Sequence, residues 1–262
     1  MLRQRITTAV LGVIVVLAVL VWGALPWKTL VYIGTLLAVI EFAGLVRLRW
    51  YSPATIWALL VATVIMWRPE LITVLNLQIA VAVTLLIPVA VKNKTTFLQS
   101  SSNFIGVLYL GFGGASLANL RILSDGTAWV LLYLFVIWFT DTFAFFIGSR
   151  LQGPKLWPSI SPNKTLTGAA GGIIGGALGG LVIGGSLLSF PIWVYVVIGM
   201  CISVIGQLGD LVESAYKRAA GVKDSGRLLP GHGGMLDRVD SLLFAAPFAL
   251  HLIIFAIHYW QG

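Results

Sequence analysis

Long apolar runs, parted by short polar clusters, follow one another from one end of the chain to the other. A helix needs about 20 mostly apolar residues to cross a bilayer. Nine runs meet or approach that length: 5–23, 27–46, 54–67, 70–91, 103–120, 126–149, 167–189, 191–215 and 239–260. The third is short, and Trp67-Arg68-Pro69-Glu70 separates it from the fourth. The expected fold is therefore an all-α, polytopic membrane helix bundle of about nine transmembrane helices, with no soluble domain left over. Two regions are expected: N-terminal transmembrane helices over 1–125, and a catalytic transmembrane region over 126–262 with polar loops at 150–166 and 216–238.

Composition agrees. Of the 262 residues, 58% are hydrophobic and 10% charged, and the mean hydropathy is +0.96, whereas a soluble domain carries about 25% charged residues. The net charge of +8 does not point to nucleic acid, because no basic stretch has the flanking fold such binding needs. Arginine and lysine instead hold loops in the cytoplasm. With the N-terminus inside and the spans alternating, fourteen bases fall inside, and only Lys28, Arg68 and Arg121 fall outside. The N-terminus is thus expected in the cytoplasm, the C-terminus outside, and both long polar loops on the cytoplasmic face. The two arginines and apolar run at the start resemble a signal peptide, but the run is long and a second follows at once, so a retained first helix is expected. A single cysteine, Cys201, excludes an internal disulfide framework.

Within the seventh run, Gly168, Gly172, Gly176, Gly180 and Gly184 recur every four residues, and Gly171, Gly175 and Gly179 form a second row. Such a face lets another helix approach closely; it is not a phosphate loop.

The acids carry the chemistry. An intramembrane carboxylate is costly and usually faces a cavity or a partner. Asp141 lies near the end of the sixth run, and Asp210 and Glu213 near the end of the eighth. Asp210, Glu213 and Lys217 share one helical face, with Gln207 and Ser214 on or beside it. Asp237 and Asp240 repeat the i, i+3 spacing at the start of the ninth run. Between these acidic pairs lies a glycine-rich basic loop with Lys217, Arg218, Lys223, Arg227 and Arg238. Paired carboxylates suit Mg²⁺ together with substrate phosphates, the bases suit the phosphates, and the glycines of Pro230–Gly234 let amides approach an anion. Together they indicate phosphoryl or nucleotidyl transfer. His232 is read chiefly as ordering the loop.

The stretch "SAYKRAAGVKDSGRLLPGHGGMLDRVDS" (Ser214 to Ser241) resembles the signature of the phosphatidate cytidylyltransferases, or CDP-diacylglycerol synthases. "QLGDLVE", "DTFAFFIGSR" and "SPNKT" match the same family, so the resemblance covers about 141–241. It implies transfer of CMP from CTP to phosphatidate with release of pyrophosphate, dependence on Mg²⁺ (one ion or two, with a monovalent cation as a further candidate), and a bacterial inner-membrane location. It implies Asp210, Asp237, Lys217 and Arg238 as catalytic residues. Asp210 and Asp237 would be metal ligands, supported by Asp240, Glu213 and Asp141. Ser161, Asn163, Lys164, Arg218, Lys223, Asp224, Arg227, His232, Gly233 and Gly234 would bind substrate. Thr167 stands where the family commonly has glutamate. CTP, phosphatidate and membrane lipid are the expected partners, and a homodimer is compatible with the sequence. Two alternatives weigh less. Another membrane CTP-dependent lipid kinase or transferase with an alcohol acceptor would need a general base, and none is securely placed. An ion-coupled transporter would explain the buried acids but not the basic glycine loop.

Overall fold

The computed structural model describes residues 2–226, 228 and 233–261. Among the described residues there are nine α-helices: α1 (Leu2–Trp22), α2 (Ala24–Leu45), α3 (Pro53–Trp67), α4 (Val74–Ala90), α5 (Phe97–Leu120), α6 (Gly126–Leu151), α7 (Leu166–Leu187), α8 (Ile192–Ala219) and α9 (Leu236–Gln261). Six of them, α2 and α5 to α9, are long and apolar enough to cross a membrane. The apolar part of α1, together with α3 and α4, is shorter. The helix-bundle expectation is thus borne out.

The described chain divides into two compact units, Met1–Ala115 with Ala219–Val239, and Ser116–Arg218 with Asp240–Gly262. In the first, α3 begins where Ser52 caps the amide of Thr55 and Pro53 occupies the first turn, a favoured start. Pro69–Leu71 forms a 3-10 turn and Thr73 caps α4, so the fourth helix starts later than its apolar run. In contrast, α5 starts at Phe97, earlier than hydropathy alone places it. Its polar first turns find partners when buried: Ser100 Oγ donates to Thr84 O (2.8 Å) and Asn103 Nδ2 to Ala54 O (3.1 Å). Tyr32 and Thr63 hydroxyls tie α2 to α3 (2.9 Å), and Trp57 Nε1 donates to Thr84 Oγ1 (3.1 Å), tying α3 to α4.

The second unit is organised by the glycine helix. On α7, a Cβ at Gly171 would overlap Ile147, at Gly175 the Phe139 carbonyl and Phe143, and at Gly179 would lie 3.0 Å from the Phe135 carbonyl, all on α6. The other row faces α8: a Cβ at Gly176 would meet Ser203 and the Gly199 carbonyl, and at Gly180 and Gly184 it would collide with Tyr195. Gly171, Gly175 and Gly179 therefore seat α6, Gly180 and Gly184 seat α8, and Gly168 at the start of the second row still meets Ala144 and Gly148 of α6. Two polar stitches reinforce the α7–α8 contact, Ser203 Oγ to Gly172 O (3.0 Å) and Gln207 Nε2 to Ala169 O (3.3 Å). Helix α9 joins through Tyr133 Oη to Leu242 O (2.5 Å) and through Gly209, where a Cβ would press on Phe244.

The link over 150–166 is not wholly irregular. Strands β1 (Lys155–Trp157) and β2 (Ser161–Thr165) pair antiparallel, Lys155 opposite Thr165 and Trp157 opposite Ser161. Thr167 closes its base. Its Oγ1 accepts from the Gly153 amide (3.2 Å) and lies 3.2 Å from the Thr165 hydroxyl.

Candidate active site

Three carboxylates gather in the second unit. Helix α8 carries Asp210 and Glu213 one turn apart, and Asp240 lies in the second turn of α9. One oxygen from each lies within 4.8 Å of the others. Asp210 is half-buried, and Glu213 and Asp240 are buried. Asp141, on α6, is close enough to act on Asp240 as a like charge.

Like charges so placed need compensation. Lys164 Nζ, from β2, lies 2.5 Å from Asp210 Oδ2, and Lys217 Nζ lies 2.5 Å from Glu213 Oε2, one turn along α8. Lys164 and Lys217 thus offset Asp210 and Glu213, and the oxygens of Asp210, Glu213 and Asp240 still lie close enough together to share a cation. Hard oxygen donors are what a hard divalent cation takes, so the cluster fits one. Hydroxyls complete the setting: Ser214 Oγ donates to Asp210 (3.4 Å) and Ser241 Oγ to Asp240 (3.2 Å). At the cluster's edge, Arg218 Nε donates to Ile160 O (3.3 Å), tying the end of α8 to the hairpin turn. On β2, Ser161 is half-buried and Asn163 exposed.

The described parts of the glycine-basic loop beyond Arg218 belong to the first unit, and two acids hold them. Asp237, in the first turn of α9, accepts from the Ser225 amide (3.0 Å to Oδ2) and from the Gly234 amide (2.8 Å). A carboxylate in the first turn of a helix, accepting amides ahead of it, stands at the helix's positive end. Gly233 has φ +84°, a left-handed turn suited to glycine, and a Cβ there would lie 2.7 Å from Asp237 Oδ2.

The second acid is Glu41, on α2. Its Oε2 accepts from Ser225 Oγ (2.9 Å) and the Leu236 amide (2.8 Å), and its Oε1 from the Met235 amide (3.0 Å). The first amides of a helix lack intrahelical partners and carry its positive end, so a carboxylate there is doubly favoured. A Cβ at Gly226 or Gly234 would overlap Glu41, so these two glycines let the loop close over it. No motif surrounds Glu41 in the sequence. The available signal was its own isolation, an ionised group in "LAVIEFAGL", since intramembrane acids are functional candidates by default.

Lys223, Asp224 and Arg238 are exposed. Arg227 and His232 lie outside the described residues.

Residues 3–256 match the model of the cytidylyltransferase family. The chain is 36% identical to the phosphatidate cytidylyltransferase of Staphylococcus epidermidis over 262 residues, which is 97% of this chain and 99% of that protein. Those of Staphylococcus haemolyticus and Staphylococcus aureus are 34% and 35% identical, with the same coverage.

Proposed function

The chain belongs to the cytidylyltransferase family, and from that premise we propose that it transfers CMP from CTP to phosphatidate at the cytoplasmic face of a bacterial inner membrane. A phosphate oxygen of phosphatidate forms the new bond to the α-phosphorus of CTP. The bond from that phosphorus to the bridging α–β oxygen breaks, pyrophosphate leaves, and CDP-diacylglycerol remains. The observation that carries this reading is the gathering of Asp210, Glu213 and Asp240 against Lys164 and Lys217.

The attacking oxygen is already ionised at neutral pH, so no strong general base is required. What the reaction needs is positioning and charge neutralisation. Asp210, Glu213 and Asp240 would hold Mg²⁺, with Asp141 as a nearby supporting charge; when bound, the ion neutralises the reacting phosphates. Lys164 and Lys217 place cations at the same point and can donate to phosphate oxygens. Asp237 shapes the loop through the Ser225 and Gly234 amides. A carboxylate has about four acceptor sites, so the same side chain can also meet a cation. Lys223, Arg227, Arg238 and Arg218 are assigned to the triphosphate, and Ser161 and Asn163 to the rim of the site beside Lys164.

Nine crossings, with the N-terminus in the cytoplasm and the C-terminus outside, are supported by the distribution of lysine and arginine: fourteen inside and three outside. That arrangement puts the glycine-basic loop and the hairpin in the compartment that holds CTP. The decisive assay supplies the purified protein with Mg²⁺, labelled CTP and phosphatidate. Label should enter a lipid, and pyrophosphate should appear in equal amount. Label entering an added polyprenol in place of phosphatidate would overturn the assignment, as would no labelled lipid at all.

A further inference from the structure

The links that follow α2 and α4 meet around a cavity of about 740 Å³ in the first unit. Its wall carries four cations, Arg47, Arg49, Lys92 and Lys94, and no carboxylate. Among the described residues none of the four is in an ion pair. Arg49 donates to the hydroxyl of Tyr51 (2.7 Å), a neutral partner that leaves its charge uncompensated.

Two of the four stand where the backbone favours glycine. Arg47 has φ 60° and Lys92 φ 53°, each just past the end of a helix. The left-handed position that ends a helix is usually glycine, and a side chain there is strained. A cation near a helix C-terminus gains from the dipole, which offsets part of that strain for Arg47 and Lys92. It does not account for Arg49 and Lys94, which lie beyond the last turn. Retention of loops in the cytoplasm requires bases in number, but not their convergence on one cavity.

The position of the cavity identifies its ligand. Helices α2 and α5 are both long enough to span the bilayer, so the ends that line the cavity lie at headgroup depth. Trp50 and Tyr51 are exposed beside it, as aromatic residues are at membrane interfaces. Val89 and Phe97, which flank the lining residues in the chain, present bare apolar surface. Basic pockets between membrane helices suit anionic lipid headgroups.

We propose that this cavity binds the phosphate headgroup of an anionic phospholipid from the surrounding leaflet, with the acyl chains along the exposed faces of α4 and α5. The site is distinct in its residues from the acidic cluster and from the glycine-basic loop.

The test is native mass spectrometry of the delipidated full chain titrated with phosphatidylglycerol or phosphatidylcholine. The wild type should hold phosphatidylglycerol at least about tenfold more tightly, a difference of about 1.4 kcal/mol. The triple variant Arg47→Asn, Lys92→Asn, Lys94→Gln should lose that preference; asparagine tolerates the left-handed backbone at 47 and 92. Its lipid-free melting temperature should match the wild type. Should the triple variant not fold, Lys94→Gln alone, outside the left-handed positions, should weaken the preference measurably. The proposal is overturned by equal affinity for the two lipids, or by an undiminished preference in the variants. It is also overturned if inorganic pyrophosphate binds with the same dependence on these bases, because the cavity would then serve a soluble anion.

Discussion

Removing the Glu41 carboxylate should disable the site from a helix that carries none of the family signature. Glu41 accepts three hydrogen bonds, from Ser225 Oγ, the Met235 amide and the Leu236 amide. A hydrogen bond to a charged group contributes about 1.5–3 kcal/mol. The three share one carboxylate, and water at the membrane surface can replace some of them, so they do not add. A joint loss of about 3 kcal/mol in loop order is the reasonable expectation for Glu41→Ala, or roughly 100-fold in rate if the ordered loop is the reactive one. Glu41→Gln keeps one acceptor oxygen and sets an NH₂ against donors, so it should fall between, near tenfold. Incorporation of labelled CTP into lipid measures the rate. Limited trypsin digestion, with Lys223 in the loop, measures loop order separately. Both variants should be cleaved there faster than wild type, in the same rank order, while the melting temperature in detergent stays near wild type. The reasoning fails if Glu41→Ala keeps wild-type kcat/KM for CTP, or if its activity falls without faster cleavage at the loop.

Asp210→Asn and Asp240→Asn should each lower kcat by orders of magnitude with little change in expression. EDTA should abolish activity, Mg²⁺ should restore it, and Ca²⁺ should restore it poorly because its coordination is looser; full restoration by Ca²⁺ would contradict the in-line requirement. Gly176→Val, which would press on Ser203 and the Gly199 carbonyl, should destabilise the protein by at least the 1–3 kcal/mol typical of overpacking, read as a lower melting temperature, whereas Gly185→Ala, with open space around it, should not. On a Cys201-free background, Ser159→Cys should be shielded from an impermeant thiol reagent in intact cells and Ser124→Cys labelled. The reverse pattern would refute the orientation.

Much of this site was legible in the chain because its parts are local. The i, i+3 spacing of Asp210 and Glu213 needs only one helix to become a shared face, and the glycine rows of α7 need only a period of four. What was not legible depends on long-range pairing. Glu41 and Leu236 are 195 positions apart, and no periodicity in either helix announces the other. The two acids that open α9 look equivalent as a spaced pair. Yet Asp240 turns towards Asp210, while the amides of Ser225 and Gly234 engage Asp237. That division depends on where the helix starts, which hydropathy fixes only to within a turn. The β1–β2 hairpin was hidden by Pro154, Pro158 and Pro162, which excluded a helix without revealing that Lys155 and Thr165 pair.

The bare faces of α7 set a tolerance as well as a contact. Where helices meet through long side chains, their separation can breathe as rotamers change and as the surrounding lipid thickens or thins. Along α7 the main chain itself meets Phe135 and Phe139 on one side and Tyr195 and Gly199 on the other, so little remains that can be compressed. Lys164 precedes this helix and Asp210 stands on its neighbour, and their 2.5 Å pairing inherits that stiffness. An enzyme whose product helps to determine bilayer composition would thereby keep its reacting groups in gauge while the bilayer around them changes.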